Sequence, residues 1–201
     1  SKLLFNLTAT LETPQGWSSF DSVFNIINFI SGQNTRVTSQ VKKSTAIKNS
    51  GLSSAQVTTS NYSDLGLMPG YLTNAKLNIN ANFDFNFSGG EVLASKPIVA
   101  SAMVNYKPAT VYDSANLYVE VINTTLGVDS IIGYGMSTFA GTTNFTKIDL
   151  PIYYEDKTLT ANLLRYYFVS SYVDDTTESN MLNSSLYVDD VTYTTVKSET
   201  Y

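Results

Sequence analysis

The segment Leu77–Phe87 alternates apolar and polar residues without a break. Its apolar positions share one face, and its polar positions, four Asn and one Asp, share the other. Successive side chains of a β-strand point to opposite faces of the sheet, so the alternation predicts one long, half-buried strand. A shift of one residue in its pairing would expose three Phe rings, and we therefore expect a fixed register.

The rest of the chain carries the same kind of pattern in shorter segments. Apolar residues on both faces of Ile98–Lys107 and Leu163–Ser170 predict strands inside a sheet. Gly133 and Gly135 interrupt another strand and predict a bulge or a close backbone approach. The predicted strands besides Leu77–Phe87 are Leu3–Leu11, Arg36–Val41, Ala55–Thr59, Ile98–Lys107, Ala115–Ile122, Ile131–Met136, Asn144–Tyr153, Leu163–Ser170 and Ser184–Val196.

About nine or ten short strands with turn residues between them are typical of an antiparallel β-sandwich, most often a jelly roll. Phe20–Ile30 is ambiguous between a short helix and an irregular apolar segment, and no other helix is indicated. A chain of 201 residues suits one all-β domain. We therefore predict an all-β fold with little helix and a single domain over residues 1–201.

The composition excludes several classes of function. The chain has no Cys and no His, which rules out disulfides, Ser-His-Asp catalysis and the usual zinc sites. Its net charge of −5 and lack of a basic run make nucleic acid an improbable partner. Few charges and many Ser, Thr, Asn and Tyr residues favour an extracellular or cell-surface protein over an ordinary acidic β domain. The chain starts without Met and has no apolar run of membrane-spanning length, so we expect prior processing and export.

Two adjacent carboxylates, Asp189 and Asp190, lie inside the last predicted strand. Strict alternation after Leu186 and Val188 would bury Asp190, which is costly unless the charge is compensated. Calcium prefers oxygen ligands, and Glu12 at the end of the first strand is a possible third acid. Glu12, Asp189 and Asp190 thus form a candidate calcium site. The alternative is a β-bulge that turns both carboxylates to solvent or to backbone N–H groups.

A series of short motifs follows in a fixed order along the chain. They are Leu11-Glu12, Pro14-x-Gly16-Trp17, Pro69-Gly70, Lys96-Pro97, Asn105-Tyr106, Asp113-x-Ala115, Ile132-Gly133-x-Gly135, Asp149-Leu150-Pro151-Ile152-Tyr153-Tyr154, Ser170-Ser171 and Ser185-Leu186-x-Val188-Asp189-Asp190. Together they resemble the carbohydrate metabolism domain of surface and secreted proteins of Bacteroidetes, which is similar to galactose-binding and carbohydrate-binding-module jelly rolls. The resemblance implies export, carbohydrate binding, and often calcium between the first and last strands. The chain departs from the family at Leu11, where an aromatic residue is usual, and at Asn183, where Gly is frequent.

Carbohydrates are bound by aromatic rings stacked on the sugar and by polar groups that meet its hydroxyls. Trp17 is either a ring of this kind or a plug at the edge of the core, and the Asn and Asp row of Leu77–Phe87 is either a polar floor for a glycan or a solvated or covered face. The candidate carbohydrate-binding residues are Trp17, Tyr71, Asn78, Asn80, Asn82, Asp84, Tyr112 and Tyr153.

The sequence also suggests sites of modification. Asp-Ser and Asp-Thr motifs predict O-glycosylation in loops at Ser22, Ser130 and Thr176.

The acidic clusters Asp174-Asp175 and Glu155-Asp156 are explained by turn chemistry, so we predict no enzyme activity and least favour a glycoside hydrolase. The sequence thus predicts a non-enzymatic, exported or cell-surface domain that binds a glycan. The alternative is an adhesin-like accessory subunit with a protein partner in an outer-membrane or surface assembly.

Overall fold

The computed structural model describes residues 40–62, 66–79, 85–125, 127–172 and 181–195, and in these residues the chain forms fifteen β-strands. Among them no helix is long and apolar enough to cross a membrane. The strands are β1 (Val41–Ser44), β2 (Ser54–Thr58), β3 (Ser60–Tyr62), β4 (Gly66–Met68), β5 (Tyr71–Thr73), β6 (Lys76–Ile79), β7 (Phe85–Ser88), β8 (Glu91–Val92), β9 (Pro97–Lys107), β10 (Ala115–Asn123), β11 (Ser130–Phe139), β12 (Thr146–Pro151), β13 (Tyr153–Tyr154), β14 (Leu163–Val169) and β15 (Ser185–Thr195).

Two antiparallel sheets make up the sandwich. Sheet I has the strand order β1-β2-β15-β9-β12. Sheet II has the order β13-β11-β10-β14-β5, and β8 also pairs with β14. The hairpins β3–β4 and β6–β7 form separate two-stranded sheets that do not pair with either of the large sheets. The structure is an all-β antiparallel β-sandwich of the jelly-roll class, as predicted.

The core lies between the two sheets and follows from the alternation of their central strands. On β9 the inward side chains Ala100, Ala102 and Val104 are completely buried. On β10 the inward residues Leu117 and Val119 are buried to the same degree, and they belong to the same apolar cluster. Each strand thus gives one face to a shared core, which is how a half-apolar strand gains stability from burial.

Two bulges change the phase of this alternation. On β15, Asp189 pairs with Met103 and Thr192 pairs with Ser101, so Asp190 and Val191 both stand opposite Ala102. The extra residue brings Val191 into the core at 1% exposure, and Asp190 adopts a φ of 45°. The expectation that strict alternation buries Asp190 is therefore wrong, and Asp189 is the fully buried acid.

The second bulge lies at the predicted glycine pair. The register of β10 against β11 shifts between Val121 and Ile122, so that Val121 pairs with Gly133 and Ile122 with Ile131. A Cβ on Gly133 would lie 2.8 Å from Cδ1 of Tyr154, and one on Gly135 would lie 2.9 Å from the Pro151 carbonyl oxygen. Both the predicted bulge and the predicted close approach are confirmed.

The prediction of one long strand over Leu77–Phe87 is wrong. The segment contributes two short strands, β6 and β7, which pair with each other in a hairpin. Leu77 pairs with Phe87 and Asn78 pairs with Asn86. Apolar residues thus stand opposite apolar ones across the hairpin, and polar residues opposite polar ones. Strict alternation of apolar and polar residues is therefore compatible with a hairpin of two short strands as well as with one long strand.

Most other predicted strands are confirmed with small changes in their ends. Ala55–Thr59, Ile98–Lys107, Ala115–Ile122, Ile131–Met136, Leu163–Ser170 and Ser184–Val196 correspond to β2, β9, β10, β11, β14 and β15. Asn144–Tyr153 is divided between β12 and β13, and the strand predicted at Arg36–Val41 begins only at Val41 within the described residues. Leu3–Leu11 and Phe20–Ile30 lie outside the described residues, and the single domain stays a prediction.

Candidate functional site

The outer face of sheet II gathers tyrosines from several strands. Tyr118 on β10 stands opposite Met136 on β11 and opposite Tyr167 on β14. Two residues along the same strand, Glu120 stands opposite Tyr134 and Arg165. Because the residues between them, such as Val119, point into the core, these side chains form one continuous outer surface.

The β6–β7 hairpin covers one side of this surface. The Phe87 ring lies 5.2 Å from the Tyr167 ring, edge to face, and 6.2 Å from the Tyr71 ring, stacked. Tyr167 is only 4% exposed, and its ring also lies 5.6 Å from that of Tyr118. Phe87 of this hairpin therefore packs on β14 and β5, and it covers this half of the outer face.

The other half, over β10, β11 and β13, is open. It holds a groove of about 450 Å³ lined by Tyr118, Ile131, Tyr134, Met136 and Glu155, here called the tyrosine groove. Tyr153 borders it, because its ring lies 5.7 Å from the Tyr134 ring at 64° and its backbone pairs with that of Tyr134. Tyr134 is 38% exposed and Tyr153 62% exposed, so both rings are available to a ligand.

Carboxylates set the electrostatics of the tyrosine groove. The Tyr167 hydroxyl donates a hydrogen bond of 2.6 Å to Oε2 of Glu120. Burial, followed by the nearby Glu120 carboxylate, raises the pKa of Tyr118 to about 12, and Tyr134 and Glu155 act in the same direction. The floor of the groove is thus a neutral Tyr118 phenol next to side-chain carboxyl groups.

This arrangement suits binding by stacking and by accepted hydrogen bonds. Exposed tyrosine rings offer flat apolar faces, and carboxylates accept hydrogen bonds from hydroxyl or amino groups.

The acidic pair Glu155-Asp156 beside the groove also stabilises a turn. Asp156 accepts hydrogen bonds from the backbone N and the hydroxyl of Thr158. These bonds lower the pKa of Asp156 and agree with the predicted turn chemistry.

The outer face of sheet I is covered where that of sheet II is open. Its residues Ser101, Asn105 and Tyr187 are all less than 9% exposed. Further along, Asp149 accepts a hydrogen bond from Ser101 and forms an exposed ion pair with Lys147 at 2.6 Å. The exposed aromatic groove therefore belongs to sheet II.

The structure separates the predicted carbohydrate-binding residues. Tyr153 borders the tyrosine groove, whereas Tyr71 packs under the hairpin on the covered half of sheet II. Tyr112 is 85% exposed in the turn before β10, and Asn78 on the hairpin donates to the Ser88 hydroxyl at 2.9 Å. Trp17, Asn80, Asn82 and Asp84 lie outside the described residues. Binding by any of these residues stays a prediction.

The groove residues that the sequence analysis missed are Tyr118, Tyr134, Met136 and Glu155. Tyr118 and Glu120 alternate with Leu117, Val119 and Val121, which are all apolar, and this alternation marks them as outward-facing. That signal was available in the sequence. What it lacked was the pairing that sets Tyr118 beside Met136 and Glu120 beside Tyr134.

The described part of the candidate calcium site is held together by hydrogen bonds. Oδ2 of Asp189 accepts from the backbone N of Asn49 at 2.8 Å and of Ser50 at 3.2 Å. The Asp190 carboxylate accepts from the Asn49 amide at 2.6 Å and the Ser50 hydroxyl at 2.9 Å. These contacts match the bulge alternative and fit a cation poorly, because they direct donors at the carboxylate oxygens. Glu12 lies outside the described residues, so calcium binding itself stays untested.

Within the described ranges no group of three or more acidic residues is placed to hold a metal ion. Of the predicted glycosylation positions, Ser130 is the half-buried first residue of β11 and pairs with Asn123, so its placement in a loop is wrong. Ser22 and Thr176 lie outside the described residues. Modification of all three stays a prediction.

No family model and no curated protein matches this sequence. Among solved structures, the chain is similar to a proposed glycoside hydrolase from Bacteroides thetaiotaomicron, with a TM-score of 0.65, 13% identity, and coverage of 90% of this chain and 63% of the other. It is also similar to a carbohydrate-binding module of the β-sandwich superfamily, with a TM-score of 0.50, 11% identity, and coverage of 95% and 61%. The chain thus spans less than two thirds of both proteins, and at these identities the likeness shows the β-sandwich fold.

Proposed function

We propose that this chain is a non-catalytic carbohydrate-binding module that binds glycan in the tyrosine groove. The observation that carries the proposal is the open groove on sheet II, which Tyr118, Tyr134 and Glu155 line and which Tyr153 borders through its contact with the Tyr134 ring. Rings of this kind stack on the apolar face of a sugar, and the carboxylate accepts its hydroxyl hydrogens. The similarity in fold to a protein named as a carbohydrate-binding module supports it.

Binding without catalysis fits the role that Glu120 has in the structure. Glycoside hydrolysis generally needs two carboxylates that flank the bond to be cut, one of them free to give a proton to the leaving oxygen. Glu120 instead accepts a hydrogen bond from the nearly buried Tyr167 hydroxyl, so its Oε2 atom is engaged within the fold. Export and a cell-surface location are also part of the proposal, and they rest on composition.

An accessory subunit in a surface assembly is the second candidate function. It is favoured by Met136 and Ile131, which line the groove and are 65% and 49% exposed. Exposed apolar side chains beside aromatic ones are typical of protein interfaces. In this case the tyrosine groove would hold a protein partner and not a sugar.

A glycan array followed by calorimetry on the best ligand tests the proposal. We expect Tyr134→Ala and Tyr153→Ala each to weaken binding by about 1–2 kcal/mol, which is about five- to thirtyfold in Kd. Tyr112→Ala is the matched control, because Tyr112 is a highly exposed tyrosine in a loop outside the groove. A folded protein that binds no glycan would overturn the proposal and favour the assembly function. Binding lost in Tyr112→Ala alone would move the site away from the groove.

A further inference from the structure

The polar groups of the tyrosine groove are hydrogen-bond acceptors and phenols. Of the residues that line it, Glu155 alone is charged, and Tyr118 and Tyr134 supply the hydroxyl groups. Glu120 lies next to Tyr118 on the same face and adds a second carboxylate near the floor. No lysine or arginine is among the lining residues. The groove therefore presents negative charge and aromatic faces together.

Two basic residues on or beside sheet II have partners outside the tyrosine groove. Arg165, opposite Glu120, donates from Nε to the Gly89 carbonyl oxygen at 2.8 Å and forms an ion pair with Asp129. Lys96 lies 5.3 Å from the centre of the Tyr154 ring and donates to the Lys157 carbonyl oxygen. In the described part of the chain, Glu155 forms no ion pair. Its charge is thus available to a ligand.

Such a surface discriminates ligands by charge. An aromatic face attracts an ammonium group through the electron density of the ring, and a neighbouring carboxylate adds a direct charge interaction. A uronate or sulfate in the same place would meet a like charge without a basic residue to offset it. A neutral sugar would gain stacking and hydrogen bonds alone.

We infer that the tyrosine groove selects a glycan carrying a free, positively charged amino group, with the ammonium held between the Tyr134 and Tyr153 rings and the Glu155 carboxylate. The inference rests on the proposed function and names its ligand class as amino sugars. Acetylation of the amine removes the charge and the preference with it. Acidic glycans are the weakest ligands of the groove.

Three β-1,4-linked oligomers of equal length test this inference by calorimetry. They are oligomers of glucosamine, of N-acetylglucosamine and of glucose, which share one backbone and differ at the 2-position. The pH is set below the pKa of the ligand amine, so that the glucosamine oligomer carries its positive charge. We expect the glucosamine oligomer to bind roughly three- to thirtyfold more tightly than the other two, with the difference shrinking as salt is added.

Charge variants assign the effect to the groove. Glu155→Gln keeps the size of the side chain and is expected to reduce the preference for glucosamine at least threefold. Asp149→Asn is the matched control, because it removes one negative charge from sheet I, on the strand β12, and leaves the groove intact. Thermal unfolding of both variants confirms that they are folded.

The outcomes separate the two proposals. Equal binding of the three oligomers, or a preference that survives Glu155→Gln, overturns the amino-sugar inference and leaves carbohydrate binding in place. A preference that is lost in Asp149→Asn overturns it as well, because the charge would then act from the other sheet. The absence of binding to these oligomers and to every glycan of the array overturns both.

Discussion

The Tyr167 hydroxyl donates a 2.6 Å hydrogen bond to Oε2 of Glu120, which joins the two halves of the outer face of sheet II. Tyr167 packs against Phe87 beneath the hairpin, and Glu120 stands beside Tyr118 on the floor of the tyrosine groove. The hydrogen bond therefore connects the floor of the tyrosine groove to the part of sheet II that the β6–β7 hairpin covers.

Replacing Glu120 with Leu is expected to destabilise the protein by about 1–3 kcal/mol, because the nearly buried Tyr167 hydroxyl loses its acceptor. Glu120→Gln keeps an acceptor oxygen and is expected to cost less. Urea unfolding of the two variants measures the difference. Equal free energies of unfolding for Leu and Gln would show that the hydrogen bond contributes nothing to stability.

Asp189 offers a second test, at the bulge of β15. Its carboxylate is completely buried and accepts hydrogen bonds from the backbone N of Asn49, Ser50 and Asp190. Asp189→Ala leaves these groups without an acceptor, and we expect a loss of about 2–4 kcal/mol. Asn49→Ala removes only an exposed side-chain bond to Asp190 and should cost less than about 1 kcal/mol. If the two variants unfold at the same urea concentration, the loop does not depend on Asp189.

Removal of calcium tests whether Asp189 and Asp190 bind a calcium ion instead of accepting these hydrogen bonds alone. Asn49 and Ser50 already direct backbone and side-chain donors at Asp189 and Asp190. We therefore expect thermal unfolding of the protein to be unchanged by a chelator and by added calcium. A midpoint that falls in chelator and recovers with calcium would instead support the predicted site with Glu12, since a bound ion stabilises the folded state by mass action.

The regular strands could be predicted because each one has a single core-facing side. On β9 and β10 every second residue is apolar, and neither strand itself carries the extra residue of a bulge within Ala100–Tyr106 or Ala115–Val121. On β15 the apolar positions change phase, from Leu186 and Val188 to Val191. This change was visible in the sequence, and it marks the bulge that turned Asp190 out of the core.

The site was less predictable, because it depends on which surface remains uncovered. Tyr71 and Tyr153 both belong to sheet II, on strands at its opposite edges. The hairpin packs on Tyr71 through Phe87 and leaves Tyr153 exposed. Nothing in the composition of either segment determines this, since it follows from pairing and packing between distant parts of the chain.

Asn183 occupies a position at which the backbone conformation restricts the residue type. Its φ of 73° lies in the left-handed region, which Gly and Asn adopt more readily than other residues. We expect Asn183→Ala to lower stability by about 1 kcal/mol and Asn183→Gly to change it by less than about 0.5 kcal/mol. Thermal unfolding compares the two variants, and a Gly variant as destabilised as the Ala variant would show that the Asn side chain, not φ, matters here.

Alkaline conditions are expected to destabilise the fold through its tyrosines. Burial is the main cause of a raised pKa at Tyr71, Tyr106, Tyr118, Tyr154, Tyr166, Tyr167, Tyr187 and Tyr193. In the unfolded chain tyrosine ionises near a pH of about 10, so above this pH the unfolded state binds fewer protons than the folded state. The free energy of unfolding therefore falls as pH rises, by up to about 1.4 kcal/mol per pH unit for each such group.

Urea unfolding over a series of pH values from neutral to about 11 measures this slope, and tyrosinate absorbance measures ionisation directly. We expect tyrosine ionisation to leave the free energy of unfolding unchanged below a pH of about 10, the tyrosine pKa of the unfolded chain, and to lower it above that pH. Tyr118→Phe removes one of the groups, whose folded pKa is about 12, and should make the decline shallower. Because burial raises the pKa of the eight tyrosines named above, we expect their part of the tyrosinate signal to appear together with the loss of the β-sheet circular dichroism signal. Ionisation of these tyrosines near a pH of about 10 in a protein that keeps its β-sheet signal would contradict their burial.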